Sequence, residues 1–82
     1  MIAKYVIAEE DGFEVPFIFP EVVNHHQAIH GHMKILSAGK VVWHEGDLSV
    51  SMGSISLNID CDRERQAKDL ELIHNFINKF YY

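Results

Sequence analysis

Residues 34 to 61 read KILSAGKVVWHEGDLSVSMGSISLNIDC, and the apolar spacing in this stretch sets the strand pattern on which the rest of the chain is arranged. If Glu45-Gly46 is a two-residue turn, Trp43 faces Leu48 and Val41 faces Val50 across a hairpin. If Gly53-Ser54 is a second turn, Met52 faces Ile55, Val50 faces Leu57 and Leu48 faces Ile59. A single register makes every facing pair apolar, which predicts three antiparallel strands with one buried side. A long strand bulged at Gly53 gives the same change of parity. The opposite parity of the last strand, Ser54, Ser56, Asn58 and Asp60, is either a solvated face or a polar binding face. Cys61 continues the apolar parity and is expected in the core. Gly39, inside the first strand, marks a bulge or a close approach by a neighbouring helix.

Upstream, IAKYVIA at residues 2 to 8 is apolar on both parities, as in a strand covered on both faces. Glu9-Glu10-Asp11-Gly12 supplies a turn in which Gly12 can take positive φ. Phe13, Val15, Phe17 and Phe19 then share one parity, with Glu14 on the other, which predicts a strand whose aromatic side is buried. Pro16 has no N–H to give a ladder, so this strand belongs at an edge or carries a bulge.

Pro20 suits the first turn of a helix and Gly31 its close, giving a short helix over about 21 to 30. At about 100° per residue with Val22 at zero, His26 falls at roughly 40°, His30 at roughly 80° and His25 at roughly 300°. That phase buries His26, places His30 at the margin of the apolar face and leaves His25 exposed. At the other end, Asp62 can cap a helix whose buried stripe is Leu70, Ile73, Ile77 and Phe80, with Phe76 alongside. Glu64 and Lys68 stand four apart on its outer face. The fold class is thus α+β: a single antiparallel sheet of about five strands with a short helix and a longer C-terminal helix, in the order ββαβββα.

Eighty-two residues are read as a single domain spanning 1–82 with one core. Cytoplasmic residence is expected, since no apolar run nears the roughly 20 residues of a membrane span and the N-terminal segment lacks signal-peptide features. A lone cysteine permits neither an internal disulfide nor a thiolate zinc cage. The net charge is −5, and the seven basic residues are scattered along the chain, which argues against duplex nucleic acid and against a membrane surface as partners. Protonating all six histidines would carry the charge from −5 to +1, so assembly and solubility are expected to change below about pH 6.

NHHQAIHGHM, at residues 24 to 33, holds four of the six histidines. His26 and His30 stand at i and i+4, the spacing at which two imidazoles on a helix share a metal ion, so they are the candidate metal ligands. A third ligand is not fixed by the sequence, and Gln27 occupies the place where an HExxH hydrolase carries its glutamate. Ordinary packing and surface roles are favoured for the cluster, and no cofactor is expected. No serine or cysteine sits in a strand-to-helix elbow, and Ser37-Ala38-Gly39-Lys40 is too short for a phosphate-binding Walker loop. The chain is therefore read as non-enzymatic. Its candidate binding residues are Ser54, Ser56 and Asn58 on the polar strand face, with His25 and His30.

Several pieces of the chain, in this order and spacing, resemble a family of small proteins encoded by tailed bacteriophages and prophages. They are Phe19-Pro20 followed by His25 or His26 and Ala28, then Ser37-Ala38-Gly39, then Gly53-Ser54-Ile55-Ser56-Leu57, then an Arg63-Glu64 helix start. The family pattern has an aromatic residue after Ser-Ala-Gly, where Lys40 stands here. The resemblance implies a phage accessory protein that binds a host protein or sequesters a nucleotide-like signal of host defence, acting in the host cytoplasm. It also suits a homo-oligomer, in which a polar site forms where two copies meet. Two other roles compete: a histidine-based metal binder or metal-dependent enzyme, and a structural or morphogenetic component of the virion.

Overall fold

The computed structural model describes residues 1–29 and 33–80. It contains β1 (Ile2–Glu10), β2 (Phe13–Pro20), α1 (His25–Ala28), β3 (Lys34–His44), β4 (Asp47–Met52) and α2 (Arg63–Phe80). Four strands form one antiparallel sheet in the order β2-β1-β3-β4. The α+β class and both helices stand as the sequence predicts, with four strands in place of about five. No helix among the described residues is long and apolar enough to cross a membrane.

Both tight turns follow from their residues. Asp11 and Gly12 have φ of 52° and 82°, and Glu45 and Gly46 have φ of 50° and 87°. Paired positive φ angles match the twist of a two-residue hairpin. The second turn sets Trp43 opposite Leu48 and Val41 opposite Val50, as expected. Strand β1 is central and buries Ala3, Tyr5, Val6, Ile7 and Ala8, so both of its faces are covered. Alternate residues Ala3, Tyr5 and Ile7 meet Val41, Ile73 and Ile77 in the core under α2, with Ile18, Trp43, Leu48, Val50 and Leu72 packed around them.

The face of β2 is the reverse of the expected one. Pro16 is buried and Ile18 packs on the core, whereas Phe13 is 73% exposed and Phe17 is also exposed. Ion pairing explains the choice. Glu14 shares the parity of Pro16 and Ile18, and its carboxylate is held by Arg65 Nη1 at 2.6 Å and Lys68 Nζ at 2.5 Å on α2. Lys68 therefore serves the sheet, and the expected pairing with Glu64 is replaced by this one.

The same helix buries a carboxylate that the apolar stripe conceals. Asp69 is fully buried, one and two helical turns before Ile73 and Ile77. The hydroxyls of Tyr5 and Ser37 both donate to its Oδ2, the former at 2.7 Å, and Arg65 Nε donates to Oδ1 at 2.9 Å. Lys68, Glu14, Arg65 and Asp69 thus form a chain of alternating charge that ends in two core hydroxyls. It bolts α2 to β2, β1 and β3. Burial of the ring, and then the hydrogen bond to Asp69, push the Tyr5 hydroxyl well above its ordinary pKa. Hydrogen bonds from Lys68 and Arg65 hold Glu14 below the ordinary carboxylate value.

The segment after β4 is neither a fifth strand nor a bulged continuation. Gly53, at φ 144°, turns the chain away while its N–H donates to Ala38 O at 2.8 Å. The Met52 N–H donates to Gln66 Oε1 at 2.9 Å, which fills the outward position a fifth strand would have paired with. Residues 54 to 59 instead close a small loop, in which Ser54 and Ile59 exchange backbone bonds of 2.9 Å in both directions. Asn58 adopts φ 55° at the turn, a conformation asparagine tolerates. Ile55 is fully exposed, and Cys61 is exposed rather than in the core. Asp62 caps α2 as expected, accepting from the Glu64 N–H at 3.0 Å and the Arg65 N–H at 3.2 Å.

Candidate functional site

The face of the sheet away from α2 carries the site. Antiparallel partners point their side chains to the same side, so the register places Phe19, Lys4, Lys40 and Ser51 in one row across β2, β1, β3 and β4. Lys4 interrupts the otherwise buried run of β1, and Lys40 is exposed. Neither makes an ion pair with another described residue. Lys34, by contrast, stands on Glu9 at 3.3 Å, and both Arg65 and Lys68 stand on Glu14.

One wall over this row is α1. Its helix is a single turn that starts at His25, with Asn24 as its N-cap, about four residues later than the expected start at 21. Pro20 ends β2, and the Val23 N–H bonds to its carbonyl at 3.0 Å in a separate turn. Asn24 N–H donates to Gln27 Oε1 at 3.0 Å, and Asn24 O accepts from the Gln27 N–H at 2.9 Å. This reciprocal capping sets the phase of the turn. It buries His25, at 5% exposure, and turns His26 to solvent, the opposite of the expected assignment. His25 packs edge-on against Phe19 with ring centroids 5.6 Å apart. Its Nε2 lies 2.8 Å from Gly39 O, and because a carbonyl only accepts, Nε2 carries the proton.

The other wall is the 53–61 loop. Ser54 is buried, its Oγ 3.4 Å from Ser56 Oγ and accepting from the Leu57 N–H at 3.3 Å. Ser56 and Asn58 are exposed. These residues do not form the strand face the sequence predicts. The loop nevertheless brings them to the same place as His25.

Between the walls lies an open cleft of about 740 Å³, bordered by Lys4 and Lys40, by Asn24 and His25, and by Ser54, Ser56, Asn58 and Asp60. Four of the five residues singled out from the sequence therefore line one cavity; the fifth, His30, lies outside the described residues, as do Gly31 and His32. Lys4, Lys40 and Asn24 were not anticipated. The two lysines are 36 positions apart, and only the pairing of β1 with β3 brings them together. A smaller hollow of about 230 Å³ lies between Trp43, Leu48, His74 and Ile77, but it offers fewer polar groups. Cavities of several hundred Å³ with a few convergent polar side chains are the usual form of small-ligand sites, which favours the larger cleft.

Gly39 is essential to this arrangement. A Cβ there would stand 2.8 Å from Met52 Cα and collide with the Ser51 carbonyl. Of the two expectations, a bulge or a close approach by a helix, neither holds: the close neighbour is the β4 backbone. As for the metal alternative, no group of three or more metal-ligating side chains exists among the described residues, and His26 stands exposed on α1. Comparisons of the chain with protein-family models, curated proteins and solved structures give no match.

Proposed function

We propose that this chain is a non-enzymatic binding module that holds a small, nucleotide-like ligand in the cleft between α1 and the 53–61 loop. The convergence of Ser54, Ser56, Asn58 and His25 on one cavity carries the reading. The polar groups there are committed to holding rather than reacting. His25 Nε2 is engaged by a backbone carbonyl, and the Ser54 hydroxyl is engaged with Ser56 and the loop backbone, so no base addresses a nucleophile among these contacts. The resemblance to phage and prophage proteins supplies the setting: an accessory protein that sequesters a nucleotide-derived signal, or occupies a host protein, in the host cytoplasm.

Ile2, Phe13, Phe17 and Val42 are exposed on the same side of the sheet. Exposed apolar side chains on either side of the Lys4–Lys40 row favour a homo-oligomer over a strict monomer. The test is to incubate the untagged protein with a bacterial nucleotide extract, wash it, release bound molecules by heat and identify them by mass spectrometry. Recovery of an unaltered nucleotide-like compound supports binding without chemistry. Recovery of nothing, or of a converted product, overturns it.

A further inference from the structure

We propose that Lys4 and Lys40 form a seat for a phosphate group, so that the ligand of the cleft is a phosphate-bearing nucleotide rather than a nucleoside or a neutral metabolite; this rests on the reading of the cleft as a binding site. The register sets these residues directly opposite each other on β1 and β3. Opposed like charges on one face of a sheet destabilise it. The chain has twelve acidic residues, yet no ion pair with a described residue answers either ammonium. A dianionic phosphate placed between them would meet both at once, as charge-assisted hydrogen bonds that are stronger than neutral ones.

The rest of the cleft fits the remainder of such a ligand. Ser56 offers an exposed hydroxyl and Asn58 a side-chain amide, while Asp60 brings a carboxylate to the same border. A carboxylate accepts hydrogen bonds and repels a second anion. Phosphate therefore belongs at the lysine end, and the sugar hydroxyls or an amino-bearing base at the Asp60 end. The ligand has one charged end and one donating end, which describes a nucleotide better than inorganic phosphate.

The experiment is calorimetric titration of the whole chain at low ionic strength with adenosine monophosphate, adenosine and inorganic pyrophosphate as probes. Variants Lys4→Gln and Lys40→Gln are compared with Lys79→Gln, which makes the same change of net charge at the last turn of α2. Both phosphorylated probes should bind, adenosine at least about ten-fold more weakly, and each cleft variant should lose about ten-fold in affinity for them while Lys79→Gln does not. Melting curves without ligand guard against misfolding: Lys4→Gln should melt no lower than the parent, because it relieves a repulsion, and pyrophosphate should raise the melting point of the parent more than that of the variant. Equal binding of adenosine and its monophosphate, undiminished in both variants, overturns the phosphate seat and leaves the cleft a binding site. An equal loss in Lys79→Gln overturns it too, by reducing the effect to net charge. Failure of the parent to bind any probe overturns both readings.

Discussion

Replacing Asp69 by asparagine should be among the most damaging isosteric changes in this chain. The carboxylate is fully buried and accepts from Tyr5, Ser37 and Arg65. An amide of the same shape keeps one acceptor oxygen but presents N–H groups where a donor already points, and it removes the charge that Arg65 is held against. Breaking a buried ion pair on one side costs about 3 to 5 kcal/mol, and stranding a hydroxyl adds about 1 kcal/mol or more. A chain of this length is stable by roughly 4 to 12 kcal/mol. Asp69→Asn should therefore remove about 4 to 6 kcal/mol, a large part of the total. Urea unfolding followed by the fluorescence of Trp43, the single tryptophan, reads this directly. A double-mutant cycle with Tyr5→Phe refines it: the loss of the hydroxyl should cost about 1 to 2 kcal/mol in the parent and less than half of that in the Asp69→Asn background. A cost under about 1 kcal/mol for Asp69→Asn, or a strictly additive cycle, would show that this carboxylate does not anchor α2.

Further substitutions probe the walls of the cleft and the ionic chain. His25→Ala should cost about 2 to 3 kcal/mol through the lost bond to Gly39 O and the contact with Phe19, while His26→Ala stays within about 0.5 kcal/mol; thermal melts of the pair check this. Gly39→Ala should destabilise by about 2 kcal/mol or more and weaken ligand binding, since relief of the clash must move the β4 backbone; amide exchange at Ser51 and Met52 should rise with it. Glu14 has a folded pKa below its unfolded one, so its contribution is present above the ordinary value of 4.5 and is lost as pH falls through the folded value. Acid titration of stability should be shallower in Glu14→Gln. Tyr5 has a folded pKa above its ordinary 10.0, so its contribution is complete below pH 10.0 and is lost as pH rises towards the folded value; Tyr5→Phe should flatten the alkaline limb.

Much of the sheet was legible because local chemistry and burial agree there. Asp11-Gly12 and Glu45-Gly46 determine both hairpins, and the pairs Trp43–Leu48 and Val41–Val50 follow from turn length alone. Three features were not legible, each because something other than local hydrophobicity decides. The aromatic parity of β2 is the more hydrophobic, yet Arg65 and Lys68 require Glu14 on the core side. Gln66 takes the edge position that residues 54 to 60 would have needed as a strand. A four-residue helix has no periodicity to read, so the exchange of His25 for His26 turned on the Asn24–Gln27 capping pair, which a reading built on Pro20 and Gly31 does not use. Asp69 also left a trace: it stands four residues before Ile73 on the apolar stripe. The polar residues of the cleft were found from the wrong local structure, since a strand face and a loop can offer the same hydroxyls, whereas the lysine pair required the non-sequential register of β1 and β3.

Whether a nucleotide occupies this cleft can be read residue by residue. Backbone amide resonances of the labelled chain, titrated with adenosine monophosphate, should move at Lys4, Asn24, His25, Lys40, Ser54, Ser56 and Asn58 and stay still at Leu48, His74 and Asn78. Movement confined to the hollow beside Trp43, or spread evenly over the surface, would rule the cleft out as the binding site.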